Sequence, residues 1–258
     1  MGVHLVKDLN VVLMIGSAPD ALRARTWDLC AFTSCVVINN AWQITEAWDY
    51  LVYPEDFPAE RMPQAALLAQ QKCITAAEFV PEQNRFGGFV YAGGTMSYTA
   101  GYWALGALQP DVIAYLGCDM VYPKVDGQGS HFYGQGQADP LRPDITLQSL
   151  EAKSVRFMAL AQSQQCAVVN LSELSESRLL FPRVPFERFA LTSDQPDFLA
   201  AQAGSLKTKA VAEALQAEAD LGYMVASGRY WEVADQLDKD KLAAIDSLWL
   251  TAWAPKQL

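Results

Sequence analysis

The stretch VVLMIGSAPDAL, Val11 to Leu22, runs five apolar residues straight into Gly16, Ser17, Ala18 and Pro19. A short continuous apolar run bounded by turn residues suits a strand buried on both faces, as in a parallel sheet. Gly16 permits a sharp exit from that strand and a close approach of backbone to a ligand. Pro19 suits the first helical position, and Asp20 puts negative charge in the first turn. Strand, tight turn and helix start together make a place where backbone N–H groups can face an anion. The plainer reading is a βα turn that binds nothing, since such units are common building blocks.

The same signal recurs downstream. Cys35 to Ile38 (CVVI) is a second apolar run and ends in Asn39 and Asn40. Tyr50 to Tyr53 (YLVY) is a third and ends in Pro54, Glu55 and Asp56. Cys73 and Ile74 form a short fourth, after an expected helix from Pro63 to Lys72. Asp111 to Gly117 (DVIAYLG) is the clearest buried strand and runs into Cys118, Asp119, Met120, Val121 and Tyr122. Ala167 to Val169 is the last, ending in Asn170 with Ser172 just beyond. Strands alternating with helix-length connections predict an α/β fold, a doubly wound and mostly parallel sheet. Polar residues at the carboxyl ends of such strands sit where these sheets bind ligands.

Between the strands, Gly93, Gly94, Thr95, Met96 and Ser97 form a second glycine-bearing turn before a helix expected over Thr95–Leu108. Residues 81–89 read as a loop. Residues 123–143 read as a long glycine-rich, aromatic-bearing loop carrying His131 and Tyr133, and its length suggests a lid. A helix is expected from Asp144, as N-cap, to Gln164. Pro182 to Pro196 is an irregular, proline-bearing linker, and two or three amphipathic helices follow. The expected organisation is therefore a nucleotide-binding, transferase-like domain over 1–184 and a helical appendage over 185–258.

Composition narrows the function. The chain has 258 residues, half of them apolar, and a net charge of −10 from 19 Lys plus Arg against 29 Asp plus Glu. That acidity, with no dense basic cluster, argues against a nucleic-acid partner. No apolar run reaches the length of a membrane span. Five cysteines, an odd number with no C-x-x-C pair, read as reduced thiols in a cytoplasmic protein. Only two histidines, His4 and His131, limit metal sites and histidine-based catalysis.

Taken in order, G-S-A-P-D-A-L, V-I-N-N-A-W, V-Y-P-E-D, G-G-T-M-S, D-V-I-A-Y-L-G-C-D-M-V-Y, S-H-F-Y-G and V-V-N-L-S-E-L-S resemble one superfamily over Val11 to Arg183. It is the Rossmann-like superfamily that holds bacterial sialyltransferases and the 6-hydroxymethylpterin pyrophosphokinase-like, flagellin-modification-associated proteins. Its first turn usually reads G-N-G-P-S-L, whereas here Ser17 replaces the Asn and Ala18 the second Gly. The resemblance matches Asn40, Gly94, Thr95, Asn170 and Ser172 to nucleotide contacts, and the strand ends and glycine turns add Gly16, Ser17, Ala18, Asn39, Asp56, Gly93 and Ser97 as candidate nucleotide-binding residues. It places Asp119 and Tyr122 at the acidic and tyrosine positions of the G-x-D-x-x-Y segment. The sialyltransferases carry a catalytic histidine just before the late helix. Here Asp139 stands at that spacing, with His131 eight residues earlier.

Three functions follow as expectations. The first is a metal-independent glycosyltransferase with a nucleotide sugar as donor and a hydroxyl acceptor, needing no cofactor. His131, or failing it Asp139, would serve as base, and Tyr122 and Tyr133 would stabilise the departing phosphate. The second is a pyrophosphokinase-like enzyme with Mg²⁺ held by Asp56 and Asp119. The third is a non-catalytic binding module on the same fold.

Overall fold

The computed structural model describes residues 9–64, 69–121, 131–134, 144–190 and 198–254. Six described strands form one parallel sheet: β1 (Val11–Ile15), β2 (Ser34–Ile38), β3 (Tyr50–Val52), β4 (Lys72–Ile74), β5 (Val112–Leu116) and β6 (Ala167–Asn170). Their order is β4-β3-β2-β1-β5-β6. Chain order therefore reverses between β1 and β5, and the crevice outside their carboxyl ends is the switch point where doubly wound sheets take ligands. Along β1, Val12 and Met14 point into one core and Val11, Leu13 and Ile15 into another, so both faces are covered.

The described α-helices are α1 (Ala76–Arg85), α2 (Phe89–Ala92), α3 (Met96–Ala107), α4 (Leu150–Ser163), α5 (Glu187–Ala190), α6 (Phe198–Ala203), α7 (Thr208–Leu221) and α8 (Lys239–Ala252). The face holding Val12 and Met14 packs against residues of α1–α4, α7 and α8. The opposite face is covered by short 3₁₀ helices (Pro19–Thr26, Leu29–Ala31, Asn39–Gln43) and by aromatics from the segment after β6. There Phe186 stacks on Trp27 with centroids 4.3 Å apart, and Phe189 stacks on Phe198 at 5.1 Å.

Four local expectations change. The helix expected after the first turn is 3₁₀ over Pro19–Thr26. At about 2.0 Å per residue, its eight residues span roughly 16 Å, the length of a five-residue strand. Residues 61–64 and 69–72 form no α-helix; the expected helix there falls partly on 65–68, outside the described residues. The stretch read as a loop at 81–89 is largely helical, because Thr75 and Glu78 form a capping box that starts α1 and exposed Pro81 forfeits only one hydrogen bond inside it. The late helix begins at Leu150 with Ser149 as N-cap, and Asp144 instead accepts hydrogen bonds from the Thr146 N–H (2.8 Å) and hydroxyl (2.7 Å).

The C-terminal helices share the main core. Leu242, Ile245 and Trp249 of α8 lie in one buried cluster with Met14, Ile113 and Phe157. Arg156 of α4 donates to Glu218 of α7 (2.8 and 2.9 Å), to the Tyr102 hydroxyl and to the Phe86 carbonyl. Lys153 of α4 pairs with Asp246 of α8 at 2.6 Å, both buried. Gln202 of α6 covers the β6 edge: its Oε1 accepts the Val168 N–H (2.7 Å) while its Nε2 donates to the Cys166 carbonyl (3.1 Å). A side chain thus occupies a sheet edge that would otherwise be open to pairing. Among the described residues no helix is long and apolar enough to cross a membrane.

Candidate functional site

The first turn is closed by the protein itself. Gly16 N–H donates to the Leu116 carbonyl (2.8 Å) and Ala18 N–H to the Gly117 carbonyl (2.9 Å). A Cβ on Gly16 would lie 2.3 Å from the Gly117 oxygen and 2.6 Å from the Cys118 sulfur. The glycine is therefore required by the close crossing of the β1 and β5 exits. The Gly16 and Ala18 amides are thus engaged within the protein. Ser17 meets a different element, its carbonyl accepting the Phe132 N–H at 3.0 Å. That contact seats residues 131–134 on the tip of β1.

The second glycine turn is also filled from within. Gly93 N–H donates to the Phe89 carbonyl and Gly94 N–H to the Thr146 hydroxyl (2.9 Å). A Cβ on Gly94 would sit 2.2 Å from the Tyr230 hydroxyl, which donates to Asp144 at 2.6 Å. Gly93 has φ +87°, a conformation that favours glycine. Thr95 is the N-cap of α3, its hydroxyl accepting the Tyr98 N–H. What this turn presents toward the strand ends is Ser97, 8 % exposed. Its hydroxyl lies beside the Cys118 thiol and meets no partner of good geometry. Burial pushes the Cys118 thiol up to about 12, so it is protonated and no nucleophile at neutral pH.

Three more oxygens lack partners at the same edge. Asn40 is 5 % exposed, and the Oδ1 atoms of Asn39 and Asn40 accept nothing. Asn39 has φ +52° at the end of β2, an uncommon left-handed position for a residue other than glycine. Asp119 is fully buried beyond β5; its Oδ1 accepts the Asn170 amide at 3.3 Å and its Oδ2 accepts nothing. Leaving such a group unmatched costs about 1–3 kcal/mol each, more for a charged one. Asn39 and Asn40 follow β2, Asp119 follows β5 and Ser97 lies beside Cys118 at the β5 exit, so the four gather on the carboxyl side of the sheet.

The remaining residues divide. Asn170 shapes its own loop: its Nδ2 also donates to Ser177 and its Oδ1 accepts the Ser172 N–H. The Ser172 hydroxyl accepts the Leu174 N–H. Arg23 donates to the Leu171 carbonyl, and Arg183 to the Ser172 and Leu174 carbonyls, pinning that loop over β6. His131 is 7 % exposed, paired through its backbone with Gly134, its ring 5.0 Å from that of the half-exposed Tyr133. Burial lowers the His131 pKa from 6.5, so the imidazole is a neutral base at pH 7. Asp56 is exposed on the turn after β3. Tyr122 and Asp139 lie outside the described residues.

Cys118, Ser177, Thr146 and Tyr230 were not singled out in the sequence. No local signal marks the last two, because they reach Gly94 from more than 50 and 130 residues away in the chain. Comparison with known proteins found no matching family model, and no curated protein or solved structure that matches the chain.

Proposed function

We propose that the protein is a nucleotide-dependent transferase, most simply a metal-independent glycosyltransferase of the sialyltransferase-like kind that its motifs resemble. The observation that carries this reading is the set of unpartnered buried oxygens on Asn39, Asn40, Ser97 and Asp119 along the carboxyl edge of the sheet. Three of them are acceptors only, so they suit a ligand rich in hydroxyl and amino donors, such as a nucleoside or a sugar. In this reading the acceptor hydroxyl oxygen attacks the anomeric carbon of the donor and the bond from that carbon to the phosphate oxygen breaks. The hydroxyl proton passes to His131, whose neutral ring suits a base. Tyr133 offers a phenol to the departing phosphate. The free state of all five cysteines supports a reducing, cytoplasmic setting.

The pyrophosphokinase-like alternative needs Asp56 and Asp119 on one Mg²⁺, each about 2.1 Å from the ion. The two follow β3 and β5, which β2 and β1 separate. Three strand spacings amount to about 14 Å. The geometry therefore favours the metal-independent reading.

Thermal denaturation with CMP, UDP, GDP, ADP and ATP, with and without Mg²⁺, tests the proposal. A ligand at 100 times its Kd adds about 2.7 kcal/mol of stability. A metal-independent rise in Tm with CMP or UDP is expected. A rise that needs Mg²⁺ and a triphosphate, or no rise with any nucleotide, overturns it.

A further inference from the structure

We infer that Asp119 is the residue that takes a sugar-ring hydroxyl of the ligand, its Oδ2 accepting the hydrogen bond. The inference rests on the transferase reading for the identity of the ligand's nucleotide, and on the geometry of Asp119 alone for the hydroxyl.

The carboxylate is held so that one oxygen is left over. Its backbone carbonyl accepts the Arg178 N–H at 3.0 Å, and its Oδ1 accepts the Asn170 amide. Asn170 is itself fixed by Ser172 and Ser177. The next residue, Met120, has φ +54°, a left-handed turn that non-glycine residues adopt rarely and that is common at binding sites. Asp119 forms no ion pair among the described residues, and Arg178 beside it reaches Glu151 instead, at 3.9 Å. An ionised carboxylate only accepts hydrogen bonds, so a phosphate oxygen at Oδ2 would set like charges together. A metal ion asks for several oxygens converging on one point, and among the described residues the side chain hydrogen-bonded to Asp119 is the Asn170 amide, with no group of three or more His, Cys, Asp or Glu side chains that could hold a metal. A neutral hydroxyl is the donor that fits. The other unpartnered groups on this edge, on Asn39, Asn40 and Ser97, are uncharged.

That hydroxyl can come from the ribose of the nucleotide or from the transferred sugar. The test compares the wild-type protein with Asp119→Asn. The variant keeps an oxygen for Asn170 and replaces the spare acceptor by a donor. Melting temperature is read without ligand, and binding is read by calorimetry with ribonucleoside monophosphates, their 2′-deoxy and 3′-deoxy forms, and neutral hexoses. The expected result is an unchanged or higher Tm for the free variant and at least tenfold weaker binding of every probe the wild type holds. If a deoxy form costs the wild type the same factor but costs the variant nothing, the ribose is the source. If the deoxy forms bind the wild type as well as the ribonucleotides and hexoses bind only the wild type, the transferred sugar is. A hexose response with no nucleotide response supports the role of Asp119 and removes the transferase reading. The inference is overturned if the variant binds as the wild type does, if its ligand-free Tm falls by several degrees, or if no hydroxyl-bearing probe binds the wild type.

Discussion

Gly16 has a hydrogen where any other residue would place a Cβ 2.3 Å from the Gly117 carbonyl oxygen. The clash is with backbone, so no rotamer change relieves it. Gly16→Ala is expected to cost about 1–3 kcal/mol of stability, read from the shift of a urea midpoint at constant slope. Gly94 behaves differently, because its near neighbour is the tip of a side chain, the Tyr230 hydroxyl. Tyr230→Phe should lose roughly 1 kcal/mol through its bond to Asp144 and should lessen the penalty of Gly94→Ala when the two are combined. His131 gives a pH signature. Its folded pKa lies below 6.5, so between those values the unfolded chain binds a proton that the folded chain does not. Stability therefore falls as pH drops through 6.5 toward the folded value. The loss of stability between pH 7.5 and 5.5 should be smaller in His131→Gln than in the wild type, and equal losses would contradict the burial of the neutral ring.

At the scale of elements, the α4 contact with α7 and α8 carries buried charge. Removing Glu218 leaves the Arg156 guanidinium without its carboxylate and the Trp249 N–H without its acceptor at 2.7 Å. Glu218→Ala is expected to destabilise by about 3–5 kcal/mol, whereas Arg156→Met combined with Glu218→Leu should cost less than either change alone. Chemical denaturation of Glu218→Ala, of the two single changes and of the double variant measures it. The strands were readable because each is a short apolar run bounded by turn residues, and β1 occupies the five residues of its run. The helices were readable where the cap is local, as with Thr95 before α3. They were misread where a proline or a cap misled: Pro81 is tolerated inside α1, and Ser149 rather than Asp144 starts α4.

At the scale of the molecule, the sheet and the C-terminal helices share one buried cluster. Truncation after residue 184 would strip Lys153 and Arg156 of their buried partners and uncover the β6 edge that Gln202 occupies. The full chain is expected to unfold in urea in one cooperative transition, with far-ultraviolet circular dichroism and tryptophan fluorescence coinciding, and the truncated chain is expected to lose it. Sequence by itself determined the parallel α/β class, the strands and the polar strand ends, because apolar runs and turn residues are local properties of the chain. The C-terminal helices were visible as helices, yet nothing local tells a helix that packs from one that extends. Only the tertiary structure decided which strand ends are neighbours, since the order β4-β3-β2-β1-β5-β6 parts Asp56 from Asp119 and sets Asp119 beside Asn170. It also decided that the glycine turns are filled by protein groups while Asn39, Asn40, Ser97 and Asp119 keep unmatched oxygens. Hydrogen-bond satisfaction and close packing are made between residues distant in the chain, and no pattern within either segment encodes them.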